Sequence, residues 1–330
     1  ISSDNLQKVL VELNKIAIDE GIEDLEKIRQ DSTIVETNIH YPTNNSILWD
    51  CIKEAYRLLG HLREEVKVLN YLDYSKQGKK TYFKINNTKG DVRKDLFYKQ
   101  LGLFIKTISQ VSNVIKKKPF SSIEAMVLAN ELEKHLELMA KVHDMVYLKE
   151  IKEQKVANDA KIFSIYEQHT DIIMKGSREI QFGHKVDLCS GKSNLVLHCQ
   201  ILRGNPNDST LFVPAVDAII KNYGKAPRDY ATDGGYASLA NQGHAKGKGI
   251  INIVFNKIVG SLRNIATSKN METRLKKWRS GMEAVISNIK RGFDLRRCSW
   301  KGWEHFEAKV LWSVIAYNIR VMTAHVVKLV

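Results

Sequence analysis

Apolar residues recur at two different periods along the chain, and the switches between them mark out its elements. Leu6, Val9, Leu10, Leu13, Ile16 and Ala17 fall at helical spacing, with Asp4 placed to cap and Gly21 to stop that helix. From Ile28 to Asn38 the pattern turns β-branched and alternating, which predicts a strand with Asp31 in its middle, where strands disfavour aspartate. From about 45 to 157 the spacing is almost wholly helical. Its clearest start is the capping box Ser121-Ser-Ile-Glu124 after Pro119, and Lys76 to Asp91 reads as a polar break between helices. A coiled-coil dimerisation arm stays open for this stretch, on imperfect heptads.

Beyond it the period returns to two. Glu179–Leu188 and Asn194–Leu202 flank a Ser190-Gly191-Lys192 turn and predict a hairpin. Asn205-Pro-Asn-Asp208 opens a helix to about Asn222, with Asp208 as its cap. Arg228–Asp233 is a short strand ending in an acid before Gly234-Gly235, and Gly249–Phe255 is another. Gly243-His-Ala-Lys-Gly247-Lys-Gly249 lacks phosphate-loop spacing and reads as a flexible basic loop. Two helices close the chain, one carrying Glu283 and one spanning about Trp303 to Val327. With the helical stretch set aside, this order predicts an α/β chain with a mixed sheet and an antiparallel hairpin on one side.

Composition adds a partner. Apolar residues at 43% suffice for a core, and the formal charge is +14. From Lys257 onward there are fifteen Lys and Arg against five Asp and Glu. A basic C-terminal region of this kind reads as a nucleic-acid footprint, with a general solubility bias as the alternative. The four cysteines show no CxxC and no structural-zinc spacing, so a reducing cytoplasm is expected, and His198-Cys199 belongs to a core strand. No apolar run approaches a membrane span, and no signal peptide is visible. Ile1 in place of a Met predicts a missing N-terminal segment.

The candidate chemistry lies in Arg279-Ser-Gly-Met-Glu283-Ala-Val-Ile-Ser-Asn-Ile-Lys290. At about 100° per residue, Arg279, Glu283 and Lys290 share an arc of roughly 40°, with Trp278, Met282, Val285 and Ile289 on another face. One acid between two cations suits a group that binds a metal while its neighbours hold a polyanion. The same spacing also fits an ordinary exposed Arg–Glu pair.

These segments resemble a family. Asp31-Ser-Thr-Ile-Val-Glu-Thr-Asn-Ile-His-Tyr-Pro is similar to the first-acid segment of bacterial insertion-sequence DDE transposases. His169-Thr-Asp-Ile-Ile and Phe182-Gly-His-Lys resemble their hairpin entry, and Asn205-Pro-Asn-Asp208 the start of the intervening helix. Asp233-Gly-Gly-Tyr236 resembles the second-acid turn, and Arg-x3-Glu-x6-Lys the third-acid signature. Gly302–Phe306 through Ala316–Arg320 resembles the closing helix. The likeness covers about residues 28–44 and 162–322. It departs where a Tyr is expected three positions before Arg279, since Lys276 stands there and Trp278 is the nearest aromatic.

The resemblance implies a ribonuclease-H-like mixed sheet flanked by helices, with a large all-helical insertion after the first strand. The divisions expected are 1–44 for the first helix and catalytic strand, 45–160 for the insertion, and 161–330 for the rest of the catalytic domain. It implies two Mg²⁺ ions, replaceable by Mn²⁺, on Asp31, Asp233 and Glu283, with Asp31 shared between them. Arg279, Lys290, Lys276 and Arg291 would hold DNA. The activity implied is hydrolysis at element ends followed by 3′-OH strand transfer into target DNA. The expected setting is a homodimer in a synaptic complex on double-stranded DNA, in the bacterial cytoplasm at the nucleoid. A structure-specific nuclease and a non-catalytic DNA-binding relic are the alternatives. Asp171, Asp187 and Asp208 compete as further acids.

Overall fold

The computed structural model describes residues 2–117, 120–175, 179–258 and 260–327. It divides into two compact units, one formed by 1–38 with 169–330 and the other by 39–168.

The first unit is built on a seven-stranded mixed sheet. Its strands are β1 (Lys27–Thr37), β2 (Asp171–Lys175), β3 (Glu179–Ser190), β4 (Val196–Ile201), β5 (Asp229–Asp233), β6 (Asn252–Asn256) and β7 (Arg297–Cys298). The main path runs β2-β3-β1-β5-β6, with β4 on β3 and β7 on β1. β1 is therefore central rather than an edge. It pairs antiparallel with β3, Asp31 opposite Leu188, and parallel with β5 up to Gln30 opposite Thr232. β5 pairs parallel with β6, ending at Asp233 opposite Asn256.

Alternation along β1 sorts its side chains between the two faces. Val35 joins Met282, Val285, Ile289, Phe306 and Val310 in one cluster, beneath α9 (Gly281–Gly292) and α10 (Trp303–Val327). Ile28 joins Phe212, Val216, Tyr230, Tyr236 and Phe255 in another, beneath α6 (Phe212–Tyr223). Ala231 and Val254 of the parallel strands pack with Leu275 of α8 (Lys269–Arg279). Asp31 shares the parity of Val35 and Asp233 that of Ala231, so both acids lie on the α8–α9 side. α1 (Ser3–Asp19), capped by the Ser2 hydroxyl, sends Leu6 and Leu10 into the first of these clusters.

Several sequence expectations shift. β2 and β7 were not foreseen, because five residues and two residues carry too little periodicity. The glycine-rich run from Gly243 lies largely within α7 (Leu239–Gly247), started by the Ser238 side chain accepting from the Asn241 amide. The single helix expected around Glu283 is two, broken at Ser280. α10 is long and apolar enough by length and composition to cross a membrane, although charged residues interrupt its apolar sequence. Glu304, Glu307 and Lys309 lie in its first two turns and Arg320 follows alone, while Phe306, Val310, Leu311, Val314 and Ile315 are buried. The four cysteines are buried thiols.

The second unit is helical. It comprises α2 (Asn44–Glu65), α3 (Ser75–Asn86), α4 (Asp91–Ile115) and α5 (Ile123–Val146), the last followed by a π-turn over Tyr147–Ile151. Leu48, Ile52, Leu59, Phe97, Phe104, Leu132, Met139 and Val142 form its core. α3 fills most of the stretch expected to be a break, its apolar residues being too few to advertise a helix. α5 is capped one residue later than expected, by Ser122 Oγ accepting from the Ala125 amide. Pro119 lies outside the described residues.

Candidate active site

Asp31, Asp233 and Glu283 come together around one cation, the guanidinium of Arg279. Arg279 Nη2 donates to Asp31 Oδ2 at 2.6 Å and stands 3.9 Å from Asp233 Oδ2. Its Nη1 donates to Glu283 Oε1 at 3.4 Å. The arginine side chain is 7% exposed, against 19% for Asp31, 44% for Asp233 and 71% for Glu283. Exposure thus rises from the arginine through Asp31 and Asp233 to Glu283, and the guanidinium lies deepest.

Each position follows from its element. Asp31 sits mid-strand, where ladder bonds on β1 fix its backbone, and its Oδ1 accepts from the Ser32 amide at 2.9 Å. Asp233 is the last residue of β5. The turn after it packs so closely that a Cβ on Gly234 would collide with the Lys257 carbonyl. Glu283 lies in the first turn of α9, and Arg279 ends α8, so the break at Ser280 decides where both point.

That break is anchored by Arg29, two residues before Asp31 on the same face of β1. Its Nη1 donates to the Trp278 carbonyl at 3.0 Å, its Nε to Ser190 Oγ at 2.8 Å, and its Nη2 to Asn194 Oδ1. The guanidinium also lies over the Trp278 ring, 4.9 Å from its centroid. A Cβ on Gly281 would strike the Arg29 guanidinium, so a larger residue at the start of α9 would have to displace the clamp. One strand therefore carries both an acid and the clamp that holds the opposite helix junction.

The expected exposed Arg279–Glu283–Lys290 face is corrected in part. Glu283 is exposed, but Arg279 is turned inward, because α8 ends against β5 and the acids of the sheet attract its charge. Lys290 is half-buried and Arg291 exposed on α9. Lys276 is held by Glu272 at 2.6 Å, one turn back on α8. Trp278 is committed to Arg29.

The competing acids have other partners. Asp171 accepts from the Gly204 amide at 2.6 Å and lies 3.1 Å from His184 Nδ1. Asp208 is not the helix cap expected of it: its Oδ1 accepts from Ser32 Oγ and from Lys185 Nζ, each at 3.1 Å. Asp187 is fully buried, and burial pushes its carboxyl up to about 7. The sequence does not single out Arg29 or Gln30, and it offers Asp187 only as a competing acid. The available signal was Arg29-Gln30-Asp31 itself, three polar residues in a row inside a strand.

The donors fit a divalent cation in kind, since carboxylate oxygens are the hard ligands magnesium takes. Three carboxylates against one guanidinium also leave two negative charges to balance. As arranged, they surround the arginine more loosely than an ion. Among the described residues no group of three or more His, Cys, Asp or Glu is drawn in around a common point.

A family model described as a transposase DDE domain matches residues 150–319. That span holds Asp233, Arg279, Glu283 and Lys290, while Asp31 lies before it. No curated protein and no solved structure matches the chain.

Proposed function

Because the chain belongs to the transposase DDE domain family, we propose that it is a DNA transposase whose acids are Asp31, Asp233 and Glu283. In this reading it cuts phosphodiester bonds at element ends and joins the freed 3′-OH to target DNA, as a homodimer in a synaptic complex acting at the nucleoid. What carries the assignment is the shared cation. Residues separated by 202 and 50 positions in sequence have carboxylates within 4 Å of one guanidinium.

Two divalent ions bound there would activate the attacking water or 3′-OH and stabilise the leaving oxygen. Asp31, flanked by the other two acids, is the residue to share; Asp233 and Glu283 each complete one side. Arg279 offsets part of the acids' charge, and ions held by the same carboxylates would compete with it for them. Phosphate binding in this reading falls to Lys290, Arg291 and Lys276, with Arg279 beside them. The seven-stranded sheet is compatible with a ribonuclease-H-like fold. We read the helical unit of 39–168 as an insertion into it after β1.

The experiment is an Asp233→Asn substitution, assayed for metal-dependent nicking of element-end DNA and for affinity to the same duplex. Cleavage should fall at least a hundredfold, on the order of the loss from removing a group that stabilises the transition state, while affinity stays within about threefold. Undiminished cleavage by the folded variant would remove Asp233 from the site. Joined donor–target products distinguish a transposase from a simple nuclease.

A further inference from the structure

Beneath the acids, on the opposite face of the sheet, lies a buried polar chain that the proposed chemistry does not use directly. Tyr230 Oη donates to Gln30 Oε1 at 2.9 Å, which orients the amide so that Gln30 Nε2 donates to Asp187 Oδ2 at 2.7 Å. From the other side, Tyr236 Oη donates to Asp187 Oδ1 at 2.7 Å. All four side chains are fully buried.

The sequence positions of these partners give the network its meaning. Gln30 directly precedes Asp31 on β1. Tyr230 and Tyr236 stand three residues before and three after Asp233. Asp187 belongs to β3, opposite Ser32. One carboxyl thus ties the strand carrying the first acid to the turn carrying the second. The β1–β5 ladder ends at Gln30 and Thr232, so beyond that point backbone pairing no longer holds Asp233 in register with Asp31. The Asp187 bridge begins where that ladder stops.

We infer that Asp187 is a positioning residue for the metal-binding acids, fixing the Asp233 turn against Asp31 through Tyr236 and Gln30. The inference rests on the site proposed above. Its chemistry calls for an acid, because both neighbours point donors at it and Gln30 cannot turn its amide without losing Tyr230. An asparagine would set its own N–H₂ against one of those donors.

Mn²⁺ alone is the probe, read as the ion concentration giving half the maximal rise in melting temperature. It is applied to the wild-type chain and to Asp187→Asn, Tyr236→Phe and Asp233→Asn. Ile219→Val, a core change in the same unit that removes no hydrogen-bonding group, serves as a stability control. Loss of one hydrogen bond of ordinary strength should raise the Mn²⁺ midpoint about fivefold in Asp187→Asn and Tyr236→Phe. The double variant should shift it no further than the larger single shift, since both act through one path. Ile219→Val should lower the melting temperature and leave the midpoint in place. Affinity for a mixed-sequence duplex should be unchanged throughout. If Tyr236→Phe and Asp187→Asn lower only the melting temperature, as Ile219→Val does, the network is structural and the inference is overturned. Tyr236→Phe removes a single hydroxyl and decides the matter even where Asp187→Asn does not fold. If Asp233→Asn also leaves the midpoint unmoved, the metal-site assignment itself is what fails.

Discussion

Arg279 Nη2 lies 2.6 Å from Asp31 Oδ2, although 248 residues separate them. This pair closes the unit around its acids, and both groups are mostly withdrawn from water. Removing the guanidinium leaves three carboxylates facing one another. Arg279→Ala should therefore cost about 2 kcal/mol of stability, less than a fully buried pair would, since Asp31 keeps some contact with solvent. Millimolar Mg²⁺ should return more stability to the variant than it adds to the wild type. Urea unfolding with and without Mg²⁺ tests both statements, and an equal Mg²⁺ effect on the two proteins would refute the role given to Arg279.

Arg29 makes a second prediction. Its fork reaches Ser190, Asn194 and the Trp278 carbonyl at once, and its plane covers an indole. Lysine keeps the charge but offers a single point in place of the fork. Arg29→Lys should lose about 2 kcal/mol and most cleavage, because the released junction carries Arg279 and Glu283. Duplex affinity should persist. A variant with wild-type unfolding and wild-type cleavage would show that the clamp is dispensable.

Acidity offers a third. Burial, with repulsion from Asp208 and Asp31, outweighs the hydrogen bonds from Tyr236 and Gln30 and lifts Asp187 from 3.8 to about 7. Between those values the folded chain keeps a proton that the unfolded chain has released. Asp187 therefore costs stability as pH rises from about 4 to about 7. Asp187→Asn has no proton to lose. The stability of wild type relative to the variant should shrink steadily across that window, measured by urea unfolding at half-unit steps. A constant difference would contradict the raised value.

The fourth concerns DNA. Lys290→Ala and Arg291→Ala should each lower the slope of log affinity against log salt by about one, the signature of a lost phosphate contact. Lys276→Ala should change it less, since Glu272 already holds that ammonium at 2.6 Å. Slopes unchanged by all three substitutions would move the DNA to another face.

Asp31, Asp233 and Glu283 stood out in the sequence because each breaks a local rule: an aspartate mid-strand, an acid before two glycines, an acid between cations. Alternation also revealed β1, β3 and β5. Arg279 was harder. Helical spacing put it on the same face as Glu283, which is correct for the backbone, but the break at Ser280 and the pull of two distant aspartates turn its side chain inward. Neither is a periodic property. Gln30, and the partners of the competing acid Asp187, are illegible for a related reason, since a polar residue in a strand says nothing of which buried donor awaits it. α3 was obscured because only Gly78, Thr81 and Ile85 are buried, too little to mark an apolar stripe.

The helical unit separates β1 from every strand it pairs with. A nascent chain that has just completed residue 168 can close that unit on its own contacts, all of which fall within 39–168. β1 must wait meanwhile, since its first partner, β3, begins at residue 179. Glu283 arrives a hundred residues later still. At roughly 5–20 residues per second, synthesis keeps the central strand unpaired for several seconds or more. The order of translation thus brings the three acids together only after Glu283 has been made, and a chain interrupted before it carries Asp31 with nothing to complete the set.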